Sequence, residues 1–138
     1  MSIKMELSRV LIRETEDTHV VELRESDVAD EDARFCPIQI GLTEAAAIER
    51  RLMGQEPPRP QTHELLDAVI AALGYTLERI EITDLRDHTF FARIFLRNGE
   101  DIRDIDARPS DAIALGATGD IPIYVAEHVL DAVNRTDF

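Results

Sequence analysis

Apolar and polar positions alternate from the start of the chain. Over residues 5–13, Leu7, Arg9 and Leu11 lie on one side and Val10 and Ile12 on the other, so the spacing predicts a strand partly covered on both faces. Glu14-Thr15-Glu16-Asp17 reads as a turn and residues 19–23 as a returning strand, which together make a hairpin. After an acidic loop, residues 35–40 read as a third strand, in which Pro37 disfavours a fully paired central position. The period then changes to that of a helix over residues 44–53, capped by Thr43, with Ala45, Ile48 and Leu52 on one face and Glu49, Arg50 and Arg51 on the other. Gly54 stops it, and the Pro-rich residues 55–61 form a stiff connector. Thr62 is expected to cap a second helix, whose Leu65, Leu66, Val69, Ile70 and Leu73 form the strongest apolar stripe in the chain before Gly74 ends it.

Strands return at residues 77–83, 89–96 and 101–106, joined by the turn pairs Asp87-His88 and Asn98-Gly99, which predicts three antiparallel neighbours. Phe90, Ala92, Ile94 and Leu96 give one apolar face of the middle strand and Phe91 and Phe95 the other, which places it centrally. A short helix after Ser110, a strand over 121–125 and a terminal helix over 126–133 complete an α+β fold in one domain spanning 1–138, with a mixed, largely antiparallel sheet, two main helices, the short helix and a C-terminal one. There is no internal repeat.

Chemistry concentrates where the third of these late strands meets the short helix. Asp106-Ala107-Arg108-Pro109-Ser110-Asp111 packs two acids, a guanidinium and a hydroxyl into six residues. Pro109 fixes its own φ and pushes Arg108 toward an extended backbone, so the strand ends there and Ser110 is expected to cap the helix. Asp111 then falls in the first turn, where the helix dipole favours a carboxylate. The same residues also read as an ordinary capped junction with a local Arg–Asp pair.

Charge alters the picture of partners. The chain carries 28 Asp and Glu against 15 Lys and Arg, a formal net charge of −13, and Lys4 is its single lysine. Such a field repels polyanions and membrane surfaces at low ionic strength. Adaptation to high internal salt and biased codon usage both fit; the acid excess that accompanies the lysine loss favours the first. No segment is apolar enough for a membrane span or a signal peptide, so the expected location is the cytoplasm. Cys36 is the sole cysteine, set between Phe35 and Pro37, and reads as a buried, inert thiol. A glycine-rich phosphate loop, a nucleophile elbow, a Cys/His zinc spacing and a basic stripe interleaved with aromatics are all absent from the sequence.

Four segments together carry a resemblance. They are Ile105-Asp106-Ala107-Arg108-Pro109-Ser110-Asp111-Ala112-Ile113-Ala114-Leu115; Pro37-Ile38-Gln39-Ile40-Gly41 followed by Glu44 and Ala45; Pro57-Pro58-Arg59-Pro60-Gln61-Thr62-His63; and Pro122-Ile123-Tyr124-Val125. In order and spacing, over residues 5–133, they resemble the bifunctional nuclease domain family. The resemblance implies a dimeric α+β domain that hydrolyses DNA and RNA, with nucleic acid as substrate. Gly116 stands where that family's helix has alanine.

Phosphodiester hydrolysis needs an activated water and stabilisation of charge on the phosphoryl oxygens. The candidate catalytic residues are Arg59, His63, Arg108, Ser110 and Asp111. Arg108 would meet the phosphate. Asp106 and Asp111 are candidate ligands for Mg²⁺ or Mn²⁺, because hard cations accept one or two carboxylates with water completing the shell. His63 opens a helix, where the dipole favours a neutral ring able to act as base or ligand. The prolines flanking Arg59 hold its backbone stiff. Asp84, at a strand end, is a weaker candidate for the same cluster, and His19, His88 and His128 read as surface residues. Against the nuclease stands a non-catalytic, regulatory or oligomeric module in which the same polar groups are structural.

Overall fold

The structure, a computed structural model, describes residues 1–13, 15 and 18–135; the expected turn residues Glu14, Glu16 and Asp17 fall outside that set. Among the described residues the order is β1 (Ser2–Leu11), β2 (His19–Glu25), β3 (Phe35–Ile40), α1 (Leu42–Leu52), α2 (Thr62–Ala72), β4 (Thr76–Arg86), β5 (Thr89–Asn98), β6 (Asp101–Ala107), α3 (Pro109–Gly116), β7 (Ile123–Ala126) and α4 (Glu127–Asn134). All seven strands join one sheet in the order β3-β2-β1-β7-β4-β5-β6. Among the described residues only the β4–β7 pairing is parallel. The fold is α+β with a mixed, mostly antiparallel sheet, as the patterning predicts.

Pro37 sits on an edge strand, where a residue without an N–H is best tolerated. The β4–β5 turn is closed by Asp87 and His88, both at positive φ (49° and 65°), the backbone a tight hairpin requires. Alternate residues of β2, β4, β5 and β7 are buried: Val21 and Leu23, Ile80 and Ile82, Ala92, Ile94 and Leu96, Ile123 and Val125. Those of β4 and β5 face α3, in which seven of eight residues are buried, while α1 covers β2 and α4 covers β7. β5 is flanked by β4 and β6 and so lies one strand from the sheet edge. Phe91 and Phe95 are half-buried on its other face, each covered by a guanidinium, Arg86 at 4.5 Å and Arg79 at 3.8 Å from the ring centroid.

The helices depart from expectation in ways that matter for the site. Gly41 and Gln61, not Thr43 and Thr62, are the N-caps of α1 and α2, and Glu64 Oε1 accepts the Gln61 backbone N–H at 3.2 Å. Arg51, expected on the solvent face of α1, is buried at 4% side-chain exposure. Its Nε donates to the Ala114 carbonyl of α3 at 2.6 Å, its Nη1 to Glu64 Oε2 of α2 at 3.0 Å, and its Nη2 to Asp67. Three helices are thus tied by one guanidinium, while Leu52, expected inside, is exposed. The strong stripe of α2 is also turned outward. Of its five apolar residues only Ile70 is buried, whereas Leu65 and Leu73 are 56% and 69% exposed and Leu66 and Val69 are exposed as well. His63 and Ile70, seven residues apart and so on one side of the helix, form the inward face.

Candidate functional site

The strand-to-helix junction builds the site. Arg108 holds an extended backbone (φ −71°, ψ 146°) and is itself the N-cap of α3, with Pro109 as the first helical residue. Ser110 does not cap the helix: it lies inside the first turn, is 6% exposed, and its hydroxyl has no hydrogen-bond partner among the described residues. The geometry instead centres on Asp111. Arg108 grips it with two prongs, Nε to Oδ2 at 2.9 Å and Nη2 to Oδ1 at 3.3 Å. His63, reaching from the first turn of α2, places Nε2 2.9 Å from Oδ1, and an ionised carboxylate can only accept there. Side-chain exposure falls from 65% at Arg108 to 32% at Asp111 and 11% at His63. The cluster therefore runs from solvent into the helix layer with its cation outermost.

Burial tends to raise the Asp111 carboxyl, but the hydrogen bonds from Arg108 and His63 outweigh it and hold the group below the usual aspartate range. Arg108 is in turn held more firmly charged, chiefly by its hydrogen bond to Asp111. The carboxylate is thus an anchor for two neighbours. A positioned guanidinium with a partly free outer edge results.

That edge borders a cleft of about 1030 Å³. Arg108, Pro109 and Ser110 form one part of its wall, Gly41 and Glu44 from the start of α1 another, and apolar side chains of β3, β5 and α4 much of the rest. Glu44 is the residue that sequence reasoning undervalued. Its carboxylate folds back over Gly41, where a Cβ would run into Oε1, and it has neither a hydrogen bond nor an ion pair of its own among the described residues. Arg108 feels its charge across the cleft. The signal was visible in the Pro37-to-Ala45 segment, but nothing local says that this acid faces residue 108.

Other candidates are not brought in. Asp106 is exposed on β6 and its carboxylate makes no hydrogen bond among the described residues; Arg93 of the neighbouring strand pairs with Asp104 instead. Arg59 is exposed on the connector with no ion pair among the described residues. Asp84 belongs elsewhere: it accepts from Leu85 N–H at 2.8 Å and Arg86 Nε at 2.8 Å and pairs with His128 at 3.2 Å. His128 is exposed at the surface, as expected, although it has this partner, whereas His19 is buried, its Nδ1 accepting the Arg13 N–H at 3.1 Å, and is not the surface residue expected. His88 is exposed and lines the cleft.

A divalent cation fits this arrangement poorly. Among the described residues no three His, Cys, Asp or Glu side chains stand together as a metal-binding group, and both oxygens of Asp111 are already engaged. No helix among the described residues is long and apolar enough to cross a membrane.

Comparison with known proteins gives a consistent result. An uncharacterized protein of Mycobacterium tuberculosis is 43% identical over 122 residues, which cover 88% of this chain and 70% of that protein. Bifunctional nuclease 1 of Oryza sativa is 26% identical over 125 residues, covering 88% of this chain but 37% of the plant protein. Bifunctional nuclease 1 of Arabidopsis thaliana is 28% identical over 74 residues, 51% of this chain and 23% of its own length. The model of the bifunctional nuclease domain matches residues 23–137, and the chain belongs to that family.

Proposed function

We propose that this chain is a nuclease that hydrolyses phosphodiester bonds at the Arg108 edge of the cleft. The observation that carries the reading is the doubly held Asp111. It fixes Arg108 bidentately while leaving the outer side of the guanidinium at the mouth of a cleft that also holds a free hydroxyl and a free carboxylate. In this reading Arg108 and the Ser110 hydroxyl take the non-bridging phosphoryl oxygens, where negative charge develops. Glu44 accepts a proton from water as its oxygen bonds to phosphorus. The bond to the leaving oxygen breaks, and that oxygen takes a proton from Glu44 or solvent. His63 acts through Asp111 as a positioning residue. Mg²⁺ or Mn²⁺, if used, would add Lewis-acid stabilisation, and no step here depends on it.

The paired state of Asp111 equally suits the second reading, a regulatory module in which Arg108, Asp111 and His63 only lock α2 to α3. A nuclease assay on protein freed of contaminating nucleases, with Mg²⁺, Mn²⁺ and chelator across a salt series, separates the two: the proposal expects turnover lost in Glu44→Gln. We propose further that the chain works as a homodimer, for reasons that lie in α2.

A further inference from the structure

The cleft is far larger than one phosphate requires. At about 1030 Å³ it sits at the upper end of the roughly 300–1,000 Å³ typical of small-molecule pockets. Its composition is divided: Arg108, Ser110 and Glu44 are its charged and hydroxyl corner, while Ile38, Ile40, Leu85, Phe90 and Val133 supply an apolar wall, with Gln39 and Thr89 beside it. Ser110 is the unusual member, a hydroxyl on a residue 6% exposed that lines the cleft without a partner among the described residues. Its oxygen is not sealed from solvent, so a ligand in the cleft can hydrogen-bond to it. Charge then limits the ligand. The cleft offers one guanidinium, one carboxylate and the His88 imidazole on a chain of net charge −13, enough for one phosphate group and not for a duplex carrying a charge every ~1.7 Å.

We propose that the cleft seats a single unpaired nucleotide, with its phosphate on Arg108 and Ser110 and its base against the Ile38–Phe90–Val133 wall, where Gln39 and Thr89 meet the base edge. The ligand class is a nucleoside monophosphate or an unpaired nucleotide of a single strand. The site is that of the proposed hydrolysis, but the statement concerns binding, so it stands or falls apart from turnover.

Calorimetric titration of the full chain with AMP, adenosine, inorganic phosphate and a short duplex, at one fixed salt concentration, tests it. AMP should bind at least about tenfold more tightly than phosphate or adenosine alone, because only AMP fills both halves of the cleft. Arg108→Ala should reduce AMP to the level of adenosine, and Thr89→Trp, at an exposed position, should block the base half while leaving phosphate binding intact. Phosphate binding as well as AMP, a duplex binding as well as AMP, or no binding by AMP would each overturn the proposal. Wild type that binds AMP yet cleaves nothing would leave the seat standing and remove the nuclease reading.

Discussion

Asp111 has two jobs that different substitutions pull apart. Arg108→Lys keeps the charge but loses the two-pronged grip, and because the Arg108 side chain is largely exposed the change should cost under about 1 kcal/mol of stability. Hydrolysis should nonetheless fall by about 100-fold or more, as when an aimed transition-state donor is lost. Asp111→Asn instead strips the anchor from a nearly buried His63 and should cost roughly 1–3 kcal/mol. The pH dependence follows from the depressed carboxyl. Asp111 adds stability above the unfolded aspartate pKa of about 3.9, and that contribution is lost as pH falls through its lower folded value. Acid unfolding below about pH 4 should therefore be less steep in Asp111→Asn than in wild type, and identical slopes would contradict the assigned bonds. Elsewhere, burial pushes the Cys36 thiol up to about 12, so alkylation at pH 8 should proceed only on unfolded protein. At Gly116 a Cβ would meet Ile121 at 3.5 Å, an ordinary contact, so Gly116→Ala should stabilise by about 0.4–1 kcal/mol in thermal melts.

At the scale of elements, local chemistry was legible and facing was not. Pro37 marks an edge strand and Pro109 a strand-to-helix junction because each acts on its own backbone. Periodicity groups residues on one side of a helix, yet it cannot say which side another element will cover. Hence Arg51 looked like a surface residue although it joins three helices, and the stripe of α2 looked like core although it faces out. The meeting of Asp111 with His63, 48 residues earlier, follows from tertiary packing alone, as does the presence of Glu44 and Arg108 on one cleft wall. Arg51→Ala should cost about 1–3 kcal/mol by taking the buried donor from the Ala114 carbonyl and cutting the tie between α1, α2 and α3. The outer face of α2 carries Leu65, Val69 and Leu73 with no charge between them, so it is where two copies of so acidic a chain can approach without desolvating carboxylates. Light scattering at micromolar concentration should give a dimer for wild type and a monomer for Val69→Glu; a monomeric wild type would contradict the assignment.

Over the whole molecule, the net charge of −13 sets the conditions for folding and function together. If the acid surface is an adaptation to salt, the melting temperature should rise from low to molar KCl as screening relieves self-repulsion, and a flat curve would favour codon bias. Within that field the guanidinium held by Asp111 at the edge of the cleft is a fixed local cation. The most direct measurement is cleavage of a single-stranded oligonucleotide by wild type, Arg108→Lys and Glu44→Gln purified in parallel, with melting curves on the same samples. The account predicts turnover in wild type, a loss of about 100-fold or more in both variants and melting temperatures within a few degrees. Full activity in both variants, or none in clean wild type, would contradict it.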